Sequence, residues 1–164
     1  MNAKITLERI TPEDAKDFFS LAHSERSGPS QISRFLPSYV QDYASTKEMV
    51  TDFSRQHDEK WLYYYMIKAD ENAVGFVSAE YSRLYLRGFY ITYFIGNKYR
   101  GLHYMSTALD ELLKKIECTG LPCIFDIDKE NTASRFLIKR LVSNPYESYV
   151  DMNGKTFMTY LVYP

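Results

Sequence analysis

Within this chain, the order of residue types in residues 93–109 is the one best suited to binding a ligand. An aromatic and aliphatic run typical of a strand reaches Gly96, a basic loop follows, and an amphipathic helix begins near His103. The first N–H groups of a helix have no intrahelical acceptor, and the helix dipole places partial positive charge at the same end. A strand, a loop and a helix N-terminus in this order therefore predict a site for an anion.

The loop in this stretch resembles the cofactor loop of one enzyme family. The GNAT family of N-acetyltransferases binds acetyl-CoA with the pattern Arg/Gln-x-x-Gly-x-Gly/Ala, and the residues similar to it here are Arg100-Gly101-Leu102-His103-Tyr104-Met105. The leading Arg and the Gly after it are present, whereas His103 and Met105 replace the two later small residues. The resemblance implies that backbone N–H groups from Arg100 through Ser106 hold the pyrophosphate of acetyl-CoA.

The two replacements are compatible with that role. Phosphate is held mainly by main-chain N–H groups, which His103 and Met105 still possess. Glycine is needed where φ is positive or where a Cβ would strike the ligand. At the first turn of a helix φ is negative, so we expect a Cβ that points away to be tolerated. His103 either adds a donor to a phosphate or is a partly exposed residue at the helix start.

Hydrophobic periodicity predicts the element order β-α-α-β-β-β-α-β-α-β-β within one domain, residues 1–164. Strands are predicted at 4–10, 61–69, 74–81, 84–95, 123–127, 146–152 and 155–163. Helices are predicted at 12–23, 45–56, 103–118 and after Asn131, with a short turn at 32–35. Thr11 and Ser45 are the expected N-caps of the first two helices, Phe136 is expected to face inward from the last one, and Asn153-Gly154 is a strong hairpin turn.

This order is similar to the GNAT fold along essentially the whole chain. The segments 5–15, 73–77 and 125–137 resemble the branch of ribosomal-protein and related N-terminal N-acetyltransferases. The implied fold is α/β, with a mixed, mostly antiparallel sheet, splayed central strands and helices on both faces. In the family the pantetheine arm enters the gap between the splayed strands and pairs with backbone, which here implies Phe94 and Ile95.

The resemblance also implies a mechanism, in which the substrate amine attacks the thioester directly within a ternary complex. The N–H of Ile95 would polarise the thioester carbonyl. Many members protonate the thiolate with a Tyr seven residues after the Asn, and that position here is Ile138. Ser134 is therefore the acid candidate, although it is equally a first-turn residue that bonds to backbone. Asn131 bonds the pantetheine, caps its helix, or does both.

The general base is less determined by the sequence. Glu80 lies on a central strand near where a substrate could approach, and it is the residue we name for this role. Asp126 and Asp128 share one face of a strand through their i, i+2 spacing, but each is more typical of a solvated or ion-paired carboxylate. Some members of the family use ordered water alone.

The expected acceptor is a primary amine: a protein N-terminus, an amino acid, a polyamine or an aminoglycoside. Its site is expected to be built from the region between the first two helices and from the last hairpin, with residues 30–43, Tyr63-Tyr64-Tyr65 and Tyr160 as wall or as core. The alternative function is a GNAT-fold binding or regulatory protein with impaired catalysis, since His103, Met105 and Ile138 depart from the family pattern. Arg100, Gly101, Asn131 and Ser134 argue against that alternative.

Composition limits the partners and the location. A net charge of −1 and a pI near 6.3 give no general attraction to nucleic acid or to an anionic membrane. The sequence contains no signal peptide and no membrane-length apolar run, so with Cys118 and Cys123 as its two cysteines it favours a reduced, cytoplasmic protein. Three scattered histidines predict no metal site. An exposed edge strand in the C-terminal hairpin makes a homodimer plausible.

Overall fold

The computed structural model describes residues 3–26 and 42–164. The seven strands in these ranges are β1 (Ile5–Arg9), β2 (Leu62–Ala69), β3 (Asn72–Ser82), β4 (Gly88–Ile95), β5 (Cys123–Asp128), β6 (Glu147–Val150) and β7 (Thr156–Val162). The four α-helices in them are α1 (Ala15–Arg26), α2 (Tyr43–Gln56), α3 (Tyr104–Ile116) and α4 (Thr132–Lys139). The predicted element order is confirmed, and the turn expected at 32–35 lies outside the described residues.

Hydrogen bonds join the strands in the order β1-β2-β3-β4-β5-β7-β6. The β1–β2, β5–β7 and β6–β7 pairs are antiparallel and the β4–β5 pair is parallel, which confirms the mixed, mostly antiparallel sheet. The ladder between β4 and β5 joins Phe89 to Cys123 and Tyr90 to Ile124, and both strands continue past these pairs. Contacts divide the chain into two compact units, one of residues 1–79 and 92–112 and one of residues 80–91 and 113–164.

The core of the first unit is built from aromatic side chains of α1, α2 and the strands. Phe18 packs edge-on against Phe76 and Phe94, with ring centroids 5.1 and 5.4 Å apart. Phe53 of α2 stacks on Tyr64 of β2 at 4.2 Å. Contacts of this kind bury large apolar areas and fix how the two helices lie on the strands.

The helix starts of the first unit show one confirmed cap and one correction. The Thr11 N–H donates to Asp14 Oδ2 at 2.9 Å, as expected of a cap, and a 3-10 turn over Pro12–Asp14 leads into α1. The cap of α2 is Asp42 rather than Ser45, so that helix begins earlier than predicted. Asp42 accepts both the N–H and the Oγ–H of Ser45, each at 2.8 Å, and these bonds lower the pKa of the Asp42 carboxyl.

Strand β4 begins later than the sequence predicted. Leu84 and Tyr85 are 97% and 72% exposed and belong to the loop before the strand. The reason lies at Gly88, where a Cβ would come within 2.5 Å of the Pro122 carbonyl oxygen. Phe89 N–H donates to that same oxygen at 2.9 Å, so the strand starts at a glycine that allows this close approach.

The second unit contains the β6–β7 hairpin and α4. Five residues, 151–155, connect β6 to β7: Gly154 has φ 76°, and Asp151 Oδ1 accepts the N–H groups of Asn153 and Lys155. In α4 the prediction for Phe136 was wrong, because that side chain is 75% exposed. The fully buried residue of the helix is Ile138, the position where many family members have Tyr.

Candidate active site

The loop between β4 and α3 lies in the first unit and holds the predicted anion site. Gly96 closes β4 by donating its N–H to the Val74 carbonyl at 2.9 Å, and a 3-10 turn over Asn97–Tyr99 follows. Arg100 is extended, with φ −70° and ψ 154°. Gly101 then has φ 75° and His103 has φ 61°, after which α3 begins.

The backbone of His103 contradicts our expectation of a negative φ. His103 precedes the first helical residue and occupies the left-handed region, which for a residue with a Cβ costs about 1 kcal/mol or more. This is the position where the family pattern has glycine, and glycine adopts such a φ without a steric penalty. The loop therefore keeps the conformation of a glycine loop although the residue has changed.

Two features of the loop bear on the predicted pyrophosphate site, and that role stays a prediction. Tyr104 and Met105 begin α3, and the first N–H groups of a helix have no acceptor within the helix. Gly101 and His103 have positive φ values, and left-handed residues beside right-handed ones are a component of anion-binding nests. Partial burial lowers the pKa of Arg100, yet a guanidinium stays charged at neutral pH.

The end of β4 is held tightly within the first unit. Phe94 and Ile95 are buried, and a Cβ at Gly75 of β3 would collide with the Phe94 carbonyl oxygen. A Cβ at Gly96 would lie 2.6 Å from Leu21 Cδ2 of α1. Both glycines therefore allow close approach to the strand end, which fixes the backbone groups that were predicted to pair with pantetheine.

Asn131 and Ser134 lie together in the second unit. Asn131 Oδ1 accepts the Ser134 N–H at 3.1 Å, which confirms Asn131 as the cap of α4. The Asn131 N–H donates to the Asp128 carbonyl at 2.8 Å and ties the helix to the end of β5. Both side chains are half-buried. Their roles toward a cofactor stay predictions.

Strand register brings two carboxylates of the second unit together. Asp126 of β5 and Glu147 of β6 both lie opposite Thr159 of β7, and paired residues point to the same face of a sheet. Thr159 Oγ1 donates to Asp126 Oδ1 at 2.6 Å. Tyr85 Oη donates to Glu147 Oε2 at 3.1 Å, whereas Glu147 Oε1 is buried without a hydrogen-bond partner. We call Asp126, Thr159 and Glu147 the carboxylate row.

Burial sets the electrostatics of this row. Burial raises the pKa of the Asp126 carboxyl, the hydrogen bond from Thr159 opposes the rise, and the charge of Glu147 adds to it. Burial also raises the pKa of Tyr149 to about 12, with Asp126 as the next cause. Tyr149 lies opposite Phe157 and stacks on it at 5.5 Å. Two carboxylates beside aromatic rings can hold an ammonium group and accept a proton from it.

Comparison with protein families identifies the family to which the chain belongs. Residues 4–141 match the model of the acetyltransferase (GNAT) domain. The chain belongs to the GNAT acetyltransferase family. The match includes the loop from Arg100 to Ser106, both β4 and β5, and α4 with its Asn131 cap.

Solved structures of GNAT acetyltransferases share the fold over almost the whole chain. An acetyltransferase from Salmonella typhimurium that modifies the N-terminal serine of ribosomal protein L7/L12 has a TM-score of 0.77 at 14% identity, covering 98% of this chain and 95% of that one. The microcin C7 self-immunity acetyltransferase MccE, in complex with acetyl-CoA and AMP, has 0.76 at 15%, covering 97% and 93%. Mycobacterium smegmatis RimJ, in complex with CoA-disulfide, has 0.75 at 14%, covering 96% and 81%.

These similarities are structural rather than close in sequence. At identities of this size they show the GNAT fold. Comparison with curated protein sequences found no significant match.

Sequence reasoning missed part of the carboxylate row. It considered Asp126 and Asp128 through their spacing, but Asp128 is 4% exposed and accepts the Glu130 N–H at 2.9 Å, a structural contact in the turn after β5. Glu147 and Tyr149 were not identified. Their signal was the alternation of β6, which gains meaning only once its register against β7 is known. Glu80 lies half-buried near the end of β3, and its role as base stays a prediction.

The aromatic wall divides into core and surface. Tyr64 and Tyr160 are 2% and 0% exposed, so both belong to the core. Tyr65 is buried beside His57, with ring centroids 4.8 Å apart, and Tyr63 is half-buried. Within 30–43, residues 30–41 lie outside the described part of the chain.

Residues 3–26 and 42–164 lack the side-chain and helix arrangements that would indicate a metal site or a membrane span. No group of three His, Cys, Asp or Glu side chains in these ranges is arranged to hold a metal ion. No helix within the same ranges has the length and apolar character needed to cross a membrane.

Proposed function

We propose that this GNAT family member is an N-acetyltransferase that uses acetyl-CoA to acetylate a primary amine by direct attack in a ternary complex. The observation that carries the proposal is the loop from Arg100 to Ser106, whose backbone keeps glycine-like φ values immediately before α3. Structural neighbours crystallised with acetyl-CoA or CoA support the choice of cofactor.

The chain's own backbone would hold most of the cofactor. The N–H groups from Arg100 through Ser106, together with the Arg100 guanidinium, would bind the pyrophosphate. Backbone groups of Phe94 and Ile95 would pair with pantetheine, and the Asn131 side chain would bond it. Acetyl-CoA supplies the activated acetyl thioester when bound.

Proton transfer is assigned to the second unit. An amine must lose its proton before it can attack, and the carboxylate row offers two acceptors for that proton. Burial raises the pKa of Asp126, which makes this carboxylate a better proton acceptor than an exposed Asp, and Glu147 has a buried oxygen without a partner. Ser134 Oγ is the proposed donor to the departing thiolate. Glu80 remains the alternative base.

The acceptor amine is a cation in solution at neutral pH. The carboxylates of the row and the rings of Tyr149 and Tyr85 are groups that attract a cation. A protein N-terminus and a small-molecule amine both meet this requirement. The Salmonella neighbour modifies a protein N-terminal serine, which supports the first choice as the first to test.

A second candidate is a GNAT-fold binding or regulatory protein with a degenerate cofactor loop. The specific observation in its favour is the side chain of His103. This residue has a left-handed φ, and it places a Cβ and an imidazole where glycine would have only a hydrogen. Met105 and the buried Ile138 are further departures from the family pattern. This candidate predicts weak or absent cofactor binding.

Calorimetric titration with acetyl-CoA separates the two candidates. The enzyme predicts a Kd of about 1–100 μM, within the usual range for a cosubstrate. Thiol release should then follow only when an amine from a panel of N-terminal peptides, amino acids, polyamines and aminoglycosides is added. No heat up to about 1 mM acetyl-CoA would favour the binding protein. Tight binding without thiol release for any amine would favour a cofactor-regulated module.

Assembly and location complete the proposal. The chain would act as one functional domain, and β6, which ends the strand order, would be the edge available for a homodimer. Sedimentation that gives only monomer at micromolar concentration would remove the dimer. A cytoplasmic location is supported by two free thiols, the exposed Cys118 and the buried Cys123, and burial raises the pKa of Cys123 to about 12.

A further inference from the structure

A cavity of about 430 Å³ lies in the second unit, where the turn from β5 to α4 meets the β6–β7 hairpin turn. Its walls include three cationic side chains, Lys129, Arg135 and Lys155, and two acidic ones, Asp128 and Glu130. The volume falls within the range of small-ligand sites, about 300–1,000 Å³. None of the roles proposed above uses these cations.

Arg135, one of the residues that line this cavity, has a donor without a hydrogen-bond partner. Arg135 Nη1 donates to the Lys129 carbonyl at 2.9 Å, which fixes the guanidinium against the turn. Arg135 Nε is buried and has no hydrogen-bond partner. A buried N–H without an acceptor is costly, and the side chain that carries this one forms part of the cavity wall.

The acidic side chains do not make this a cation site. Asp128 Oδ1 is already an acceptor for the Glu130 N–H at 2.9 Å, and Asp128 is almost fully buried. Glu130 is exposed. The cations outnumber the acids, and a guanidinium with a fixed planar donor edge is suited to phosphate oxygens.

The walls are held in place by backbone hydrogen bonds. Lys129 N–H donates to the Thr156 carbonyl at 2.9 Å, and Lys155 N–H donates to Asp151 Oδ1 at 2.8 Å. A Cβ at Gly154 would meet no atom within 4 Å, so this side of the cavity is open to a ligand. Lysines on two anchored turns can therefore reach one group without rearrangement of the backbone.

We propose that this cavity binds a phosphate monoester, with Arg135 and Lys155 as its main contacts and Lys129 as an additional cation. The phosphate has two possible sources, the 3′-phosphate of coenzyme A or a separate phosphorylated ligand. The first source rests on the proposed acetyltransferase function, and the second does not.

The site is tested first with phosphate probes and two variants of opposite sign. Inorganic phosphate and adenosine 3′,5′-bisphosphate are titrated into the ¹⁵N-labelled protein, and the amide signals of Lys129, Gly154 and Lys155 are followed. Saturable shifts are expected, weakened about three- to tenfold in Lys155→Gln and strengthened about twofold in Glu130→Gln. Thermal melts check that both variants fold. No saturable shift up to about 20 mM of either probe, or equal affinity in all three proteins, overturns the proposal.

Calorimetry with coenzyme A and 3′-dephospho-coenzyme A then identifies the source. Tighter binding of coenzyme A, with the difference lost in Lys155→Gln, assigns the cavity to the cofactor's phosphate. Equal binding of both, with the phosphate shifts intact, assigns it to a separate ligand. Equal binding without phosphate shifts overturns the cavity and leaves the acetyltransferase function standing. Phosphate shifts without binding of either form of the cofactor would support the phosphate site and argue against the acetyltransferase function.

Discussion

The proposed cofactor loop in the first unit and the carboxylate row in the second are built on different physical principles. The loop from Arg100 to Ser106 offers main-chain N–H groups, so its capacity depends on φ values and on a helix start. The row offers side-chain oxygens, so its capacity depends on which residues three strands place opposite one another.

This difference decides how each region tolerates change. A backbone site survives substitution as long as the conformation survives, and His103 at φ 61° shows that a residue with a side chain can occupy a glycine position. A site made of side chains can lose its function when a single functional atom is replaced. Glu147→Gln or Asp126→Asn removes a proton acceptor while leaving shape and hydrogen bonding almost intact. Substitutions in the row and in the loop should therefore affect different quantities, the catalytic rate and the affinity for the cofactor.

The largest expected effect is on catalysis at the row. If Asp126 or Glu147 is the base, its amide variant should lower kcat about 10²- to 10³-fold with little change in acetyl-CoA affinity, since general base catalysis contributes about 10²–10⁴-fold. Steady-state thiol release from the amine acceptor, with calorimetry on the same variants, measures both quantities. Thr159→Ser is the matched control, because it keeps the hydroxyl that donates to Asp126.

The same experiment can redirect the assignment. A large loss in Glu80→Gln with near-normal rates in both row variants would return the base to β3. An amide variant that raises KM for the amine while sparing kcat would make the row an ammonium-binding site without a proton-transfer role.

The next effect is on cofactor affinity at the loop. Arg100→Ala should weaken acetyl-CoA binding about tenfold, because a guanidinium adds a charge-assisted bond to a site made mainly of N–H groups. Lys98→Ala is the control: this lysine of the same loop lies 4.8 Å over the Tyr99 ring. Equal losses in the two variants would mean that the loop acts through general positive charge alone.

The sequence predicted the elements around the loop better than it predicted the carboxylate row, for a physical reason. A strand, a turn and a capped helix are local, so the positions of Gly101, α3 and the Asn131 cap follow from neighbours along the chain. The carboxylate row joins residues 126, 147 and 159 through the registers of β5, β7 and β6, and no local pattern specifies these registers. Glu147 was therefore missed, although its hairpin was predicted.

Local reasoning also failed where tertiary contacts compete with it. Phe136 was expected in the core on helical periodicity, and Ile138 is buried instead. Ser45 was expected as the N-cap of α2, but Asp42 offers an ionised acceptor three residues earlier. The negative φ expected at His103 follows from helix geometry only for residues inside the helix, and His103 lies just before it.

Two stability variants measure how much strain the loop stores. His103→Gly should raise the free energy of unfolding by about 0.5–1 kcal/mol, because the relief of a left-handed φ exceeds the entropy that glycine adds to the unfolded chain. Gly101→Ala should lower it by about 1 kcal/mol through backbone strain alone, since the new Cβ would meet no atom within 4 Å. Urea denaturation of both variants gives the values. Destabilisation by His103→Gly would show that the imidazole makes contacts worth more than the strain.

The smallest expected effect is on the stability of the protein when the Asp126 carboxyl is replaced. Burial raises the pKa of Asp126 above its ordinary value of 3.8, so the folded state binds this proton more tightly than the unfolded chain does. Its stabilising contribution is complete below that ordinary value and is lost as the pH rises through the folded pKa. Asp126→Asn does not titrate and keeps an oxygen for the Thr159 hydroxyl. The variant should therefore match the wild type near pH 3 and exceed it at pH 7 by less than about 1 kcal/mol.

Urea denaturation at several pH values measures that difference directly. A wild type that gains stability over the variant between pH 4 and 7 would mean that a cation pairs with Asp126 in the folded protein and lowers its pKa. That result would make the row a structural ion pair. The expected result, a more stable and less active variant, is the behaviour of a carboxylate kept in a costly environment because proton transfer requires it.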